Sequence, residues 1–298
     1  GSGVLTLSND ITTDNDQTYT AAGGVLLGAN VTLTATSSDI LFSGTASTVD
    51  STGSTRTLTV SANEIEFDGA VGGNAALGAI GITGALDLDA DITSASSLSV
   101  STTSNLGADV TTSGTQTYSG AVTLSADVNL TGSTITTTST VAGGTNNLTV
   151  TGNAVFGDTT TDTVTGVAVL DVTGNTTIHT DTITTSSTQT YGDATSDTIT
   201  IGAATTLTTT DSQITFSGTV DSETSETNNL TLDAGTSEVQ FDAETGGTVG
   251  LGAIGITGAL DLDADITSAS SLSVSTPSNL GANVTTSGTQ TYTGAVTL

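Results

Sequence analysis

Residues 77–124 return as residues 251–298, an offset of 174, and only three of the 48 positions differ: Thr103 becomes Pro277, Asp109 becomes Asn283 and Ser119 becomes Thr293. A chain that spells the same long stretch twice must build the same local structure twice, which points to a stacked repeat array. The offset reaches back to Phe42 with Phe216 and Phe67 with Phe241, and is 172 at Tyr19 and Tyr191. A shorter motif lies inside the long one. Ile/Val-Thr-Thr, three residues, then Gln-Thr-Tyr begins at Ile11, Val110, Ile183 and Val284 and contains all four tyrosines: Tyr19, Tyr118, Tyr191 and Tyr292. Their spacings are 99, 73 and 101, and the shorter one falls below the other two by 26 and 28, about one unit of 25 residues. Tyr19, Phe42, Phe67, Ile92 and Tyr118, separated by 23, 25, 25 and 26, repeat that figure.

The local pattern has period two, as in Val31-Thr-Leu-Thr, Leu58-Thr-Val, Leu86-Asp-Leu-Asp and Val128-Asn-Leu-Thr. Alternation puts Val, Ile and Leu on one face of a strand and Thr, Ser or Asp on the other. β-Branched Thr and Val pack well on a pleat and poorly in helices. Gly23-Gly24, Gly72-Gly73, Asp68-Gly69 and Thr173-Gly174-Asn175 punctuate the strands as turns. Strands this short and this weakly apolar bury enough surface only when coils stack. The expected fold is therefore all-β: a parallel β-helix (β-solenoid) with about 25 residues per coil and about 12 coils. The usual chirality of parallel crossovers makes it right-handed. Residues 1–298 read as one continuous solenoid segment without separate caps or linkers. Because Ala295-Val-Thr-Leu298 stops in mid-pattern, the segment reads as cut from something longer.

Composition excludes several functions. The net charge is -29, with Arg56 the only Lys or Arg. Such a surface cannot neutralise phosphates, so nucleic acid is excluded as a partner. There is no Cys for a disulfide or thiolate. No apolar run is long enough for a membrane-spanning helix, so membrane insertion is not expected. Charged residues are only 10% of the chain, and the aliphatic ones sit at regular places, which argues against disorder.

The run Thr-Gln-Thr-Tyr-Ser-Gly-Ala-Val-Thr-Leu-Ser-Ala-Asp-Val-Asn-Leu-Thr-Gly-Ser at 115–133, followed by Asn-Leu-Thr-Val-Thr-Gly-Asn-Ala-Val-Phe-Gly at 147–157, resembles the β-strand repeats of giant secreted bacterial surface proteins of the filamentous haemagglutinin-like adhesin family. The resemblance covers nearly the whole chain. It implies a right-handed parallel β-helix, an extracellular or cell-surface location, and a role as shaft or stalk of a fibre used in attachment or matrix. The chain has fewer basic residues than several members of that family. The family's secretion domain and tip adhesion modules have no counterpart here.

Asp87-Leu-Asp-Ala-Asp91 recurs as Asp261-Leu-Asp-Ala-Asp265. On a strand, Asp87, Asp89 and Asp91, like Asp261, Asp263 and Asp265, share a face. Three adjacent carboxylates repel one another, and Ca²⁺ would relieve that. The competing reading is a solvated face, since a straight strand spreads these groups about 6–7 Å apart. The EF-hand and the glycine-rich calcium nonapeptide are both absent. His179 stands alone without a second metal ligand, and no Gly-x-Ser-x-Gly elbow or triad occurs, so the chain is not expected to be an enzyme. The large aromatics Tyr19, Phe42, Phe67, Tyr118, Phe156, Tyr191, Phe216, Phe241 and Tyr292 read as repeat anchors filling coil corners, with tyrosine hydroxyls reaching solvent or backbone. Interrupted Thr-x-Thr runs argue against an ice-matching face. Asn-x-Thr at Asn30, Asn129, Asn147, Asn175, Asn229 and Asn283 is expected by chance in so Thr-rich a chain. The reading is a passive shaft, with an alternative in which the acidic, Thr-rich face binds calcium or glycan. The expected partners are copies of the same protein, including laterally associated rods, and an extracellular glycan.

Overall fold

The computed structural model describes residues 3–298, whose regular structure is entirely β-strand. The strands form a right-handed parallel solenoid of about 14 turns. Among the described residues no helix is long and apolar enough to cross a membrane. The chain divides into two compact units, one ending at Ser139 and the other beginning at Thr140.

In the first unit each turn has three sides. The first face stacks Leu5–Leu7, Val25–Leu27 and Val49–Ser51, followed by Val71, Ile92 and Val110. On the second face Ile11 lies against Leu33, then come Val60, Ile82, Val100 and Tyr118. The third face stacks Gln17–Tyr19, Ile40–Phe42, residues 65–67 and 86–88, Ser104–Leu106 and Val122–Leu124. Each of these pairings is parallel. Inward positions repeat apolar on apolar, and Leu33, Ile40, Phe42, Leu58, Ile65 and Phe67 are fully buried. Outward positions repeat small and polar, as in the column Thr32, Thr59, Gly81, Ser99, Thr117 and Thr136.

The turns are not of equal length. Gln17, Ile40, Ile65, Leu86, Ser104 and Val122 occupy one column, so successive turns take 23, 25, 21, 18 and 18 residues. In the second unit the column Gln189, Ile214, Val239, Leu260, Ser278 and Val296 gives 25, 25, 21, 18 and 18. The uniform 25-residue coil expected from the aromatic spacing therefore holds only for the longer turns, and the total is about 14 turns where 12 were expected. In the shortest turns Ile92, Leu98, Ser104, Val110, Gln116 and Val122 follow one another every six residues, leaving room on each side for a short strand and a corner only. Longer turns place the extra residues in corner loops such as 43–48 and 52–57. One consequence is that Leu88, not Ile92, stacks on Phe67, while Ile92 belongs to the first face.

Corners are held by a side-chain ladder. An Asp or Asn just before a strand accepts, through its side-chain oxygen, the backbone N–H at the same corner one turn on. Asp91 accepts from Asp109 (3.1 Å) and Asp109 from Asn129 (2.8 Å). In the second unit Asn153 accepts from Asn175 (3.0 Å), Asn175 from Thr198 (2.8 Å) and Asn229 from Ala253 (2.8 Å). Short carboxylate and amide side chains suit this place because they bond locally to backbone while tolerating turn geometry. At one corner the approach is close enough to require glycine. Gly72 and its repeat Gly246 have φ of +74° and +73°, and a Cβ there would meet the carbonyl oxygens of Ser94 and Ser268 at 2.1 and 2.0 Å.

Replacing Asn175 tests the ladder. Asn175→Ala should lower stability by about 1 kcal/mol, and Asn175→Asp, which keeps the acceptor oxygen, should restore most of it. Equilibrium urea unfolding of the three proteins reads the difference.

Candidate functional site

The large aromatics fall into separate places. Tyr19, Phe42 and Phe67 form one stack, with ring centroids 5.1 and 4.9 Å apart and planes inclined by 20° and 8°. Tyr191, Phe216 and Phe241 form the corresponding stack in the second unit, at 5.4 and 5.1 Å. Offset stacking of this kind adds to burial. Phe156 is buried against Ile178 on a different face. Tyr118 pairs with Val100 and Thr137, and Tyr292 with Val274, so neither lies in its unit's aromatic stack.

Each tyrosine is tied to the glutamine two residues before it. Tyr118 donates its hydroxyl to Gln116 Oε1 (2.9 Å), and Gln116 Nε2 donates to the carbonyls of Val110 (3.0 Å) and Thr131 (2.9 Å). The first carbonyl lies across the corner in the same turn; the second lies one turn on. Tyr191 and Gln189 repeat this, with Gln189 Nε2 reaching Thr208 O at 2.9 Å. Both tyrosines and both glutamines have no exposed surface. The hydroxyls thus find a buried amide, where solvent or backbone was expected. Burial raises the Tyr19 phenol to about 12 and pushes Tyr118 and Tyr191 up as well. The motif Val110-Thr-Thr-x₃-Gln-Thr-Tyr is therefore a corner fastening. Its signal was present in the sequence, because residues two apart on a strand share a face.

The acidic runs resolve differently from a linear triad. Asp87 is the register partner of Glu66 and accepts from Asn105 Nδ2 (2.8 Å). Asp91 serves the corner ladder. Asp89 joins two acids of the preceding turn: Glu66, Asp68 and Asp89 each offer an oxygen, all within 4.8 Å of one another. Neither Glu66 nor Asp68 was singled out by the sequence, because this group forms across turns. Burial, then the hydrogen bond and charge of Asp68, then Asp87 and Asp89 raise the Glu66 carboxyl from 4.5 to about 7. Burial, then Asp87 and Asp68, also raises Asp89. The second unit has Gln240 where Glu66 would fall. Gln240 Nε2 donates to Asp242 Oδ1 (2.6 Å), while Asp261 accepts from Asn279 Nδ2 (2.8 Å) and Asp265 from the Asn283 backbone (2.8 Å). Burial, with the charges of Asp263 and Asp261, raises Asp242 against the lowering effect of the Gln240 hydrogen bond.

Asp50 is a third acid the sequence did not mark. It accepts from the backbones of Asn74 (2.8 Å) and Ala75 (3.1 Å) and from Asn74 Nδ2 (3.0 Å). Burial works to raise its pKa, but these donors and Thr48 outweigh it and hold the carboxyl below its ordinary value. Asp221 holds Thr248 and Val249 the same way. His179 lies 3.5 Å from Glu223, over Gly202, where a Cβ would strike its ring. Of the Asn-x-Thr asparagines, Asn30, Asn175 and Asn229 spend their side-chain oxygens in the corner ladder. A shallow groove on the first unit is lined by Thr34, Ser37, Ser61, Asn63, Thr83 and Thr102. Comparison with protein-family models, curated proteins and solved structures returns no match.

Two measurements follow from these geometries. Glu66 binds a proton more tightly folded than unfolded, so its stabilising effect is fully present below about 4.5 and is lost as pH rises through about 7. Discounted for solvent screening, the effect is on the order of 1 kcal/mol. Urea midpoints should fall between pH 5 and pH 8, and Glu66→Gln should flatten that window. Separately, Tyr118→Phe strands the buried Gln116 oxygen and should cost about 1–3 kcal/mol, read by thermal or urea unfolding.

Proposed function

We propose that the chain is a mechanical shaft or stalk segment of an extracellular fibre or giant surface adhesin. The observation carrying this reading is the parallel ladder that links turn to turn within each unit. Many of its polar groups join one turn to the next: backbone to backbone along the faces, Asp and Asn at the corners, Gln and Tyr inside. Such a molecule is a structural, non-catalytic solenoid. The likeness of residues 115–133 and 147–157 to giant bacterial adhesin repeats supports an extracellular, surface-attached setting.

Single-molecule pulling tests this. A turn of 18–25 residues releases roughly 60–90 Å when it peels away. The shaft reading expects resisted extension in steps of one or a few such turns. Extension as a slack chain without resisting steps would remove it.

A second reading rests on the convergence of Glu66, Asp68 and Asp89. These oxygens could share a hard cation such as Ca²⁺. Calcium titration at fixed ionic strength should then raise the melting temperature of the native chain and not that of Glu66→Gln. An unchanged native midpoint in millimolar Ca²⁺ discards the reading.

A further inference from the structure

Arg56 is the only Lys or Arg among the 298 residues. A trypsin-class protease, whose specificity pocket takes a basic side chain, therefore has one peptide bond to act on. That bond, Arg56–Thr57, lies where a corner loop returns to a strand. The loop spans residues 52–57, between the strands Val49–Ser51 and Leu58–Phe67. Its apex, Gly53, Ser54 and Thr55, is exposed, whereas Arg56 and Thr57 are half-buried.

All four backbone polar groups of these two residues are engaged. The Arg56 N–H donates to Ser51 Oγ (2.9 Å) within the loop. The Arg56 carbonyl accepts from the Gly78 N–H (2.8 Å) in the turn that follows. The Thr57 N–H donates to Asn30 Oδ1 (3.0 Å), and the Thr57 carbonyl accepts from the Val31 N–H (3.0 Å), both in the turn before. The following turn also lies close: a Cβ on Gly78 would stand 3.2 Å from the Arg56 carbonyl carbon. A protease takes its substrate as an extended strand whose N–H and C=O groups pair with the enzyme. Here those groups are held by the turns on either side, so the wound chain keeps the bond closed.

The second unit builds the same corner without a cation. Asn228 stands at the place of Arg56: its N–H donates to Ser222 Oγ (2.8 Å) and its carbonyl accepts from the Gly252 N–H (2.9 Å). Asn228 Nδ2 also donates to the Ile201 carbonyl (2.8 Å) one turn before, whereas Arg56 Nε is buried without a hydrogen-bond partner. The winding therefore does not call for a basic side chain at this corner, and Arg56 serves it less well than Asn228 does. We propose that Arg56–Thr57 is a latent processing site for a trypsin-class serine protease, closed while the turns are wound and opened when the strand at 58–67 parts from its neighbours. Hydrolysis adds one water across the amide: the C–N bond breaks, Arg56 keeps a carboxylate and Thr57 gains an ammonium group. While reclosing outpaces cleavage, the rate follows the population of the open form, so the site reports local unwinding of the first unit. This inference stands on the loop geometry and does not depend on the shaft reading.

Limited trypsin digestion of the full chain, read by intact mass, tests this. In native buffer the chain should stay whole at a trypsin dose that cuts the urea-unfolded chain to completion. The products in urea should be residues 1–56 and 57–298, and Arg56→Gln should resist under both conditions. Ser54→Lys places a basic side chain at the exposed apex and should be cut there in native buffer, because the protease reaches the loop and only the fastened bond is protected. Asn30→Ala and Ser51→Ala each remove one fastening and should speed native cleavage after Arg56 roughly tenfold. Circular dichroism checks that both variants remain folded. Native cleavage of the unaltered chain at Arg56 as fast as that of Ser54→Lys at its new site would show that the bond is not closed. A native Ser54→Lys chain as resistant as the unaltered one would assign the protection to an unreachable loop. Unchanged resistance in both fastening variants would remove the hydrogen bonds as its cause. Each of these outcomes overturns the proposal.

Discussion

Everything in this structure depends on one requirement: the backbone of each turn must pair in register with the turns above and below. A strand in a globular sheet can compensate for an awkward neighbour by shifting or ending. A strand here cannot, because a one-residue slip would turn its whole apolar set outward. The result is stacking by kind, Phe42 on Phe67 and Thr32 on Thr59, with the small deviations confined to corners. Narrow cores need few aromatics, which reconciles a folded protein with an aromatic content of 3%.

Register on the faces leaves the corners free to vary, and the chain uses that freedom. Turns of 18 and 25 residues coexist because an inserted loop changes the path between faces without disturbing the pairing on them. What must persist is an acceptor for the corner N–H, and Asp or Asn supplies it at many corners. The Gln–Tyr pairs do the same work inside. Gln116 joins two turns through the carbonyls of Val110 and Thr131, and Tyr118 satisfies the amide oxygen that would otherwise be buried without a partner.

The sequence showed the winding and the strand period, since these depend on residue type at short spacing. It misjudged the turn length, because the tyrosine motif does not mark one column. Tyr19 stacks with Phe42, whereas Tyr118 sits on another face. The acidic runs were harder to read for a related reason. Asp87, Asp89 and Asp91 are adjacent in the chain, but their partners are Glu66, Asp68, Asn105 and Asp109, which lie about one turn away. Without the turn length, those neighbours could not be found. Asp50 escaped notice for the same reason, with its donors at Asn74 and Ala75.

The duplicated stretch shows which atoms the fold uses. Thr103 contributes its carbonyl to the Leu86 N–H, and Pro277 contributes the same carbonyl to Leu260. Loss of an N–H at that position therefore leaves this bond intact, although proline inside a sheet is usually disruptive. Asp109 to Asn283 exchanges one corner oxygen for another. Upstream, Glu66 to Gln240 keeps the shape and removes one charge, and the amides of Gln213 and Gln240 form a hydrogen-bond chain that ends on the Asp242 carboxylate. The charge at Glu66 is thus dispensable to the winding itself, whereas the acceptor oxygens at the corners are retained. The overall charge of -29 divides accordingly: some acids hold one turn to the next, and others, such as those around Glu66, weaken the first unit when ionised.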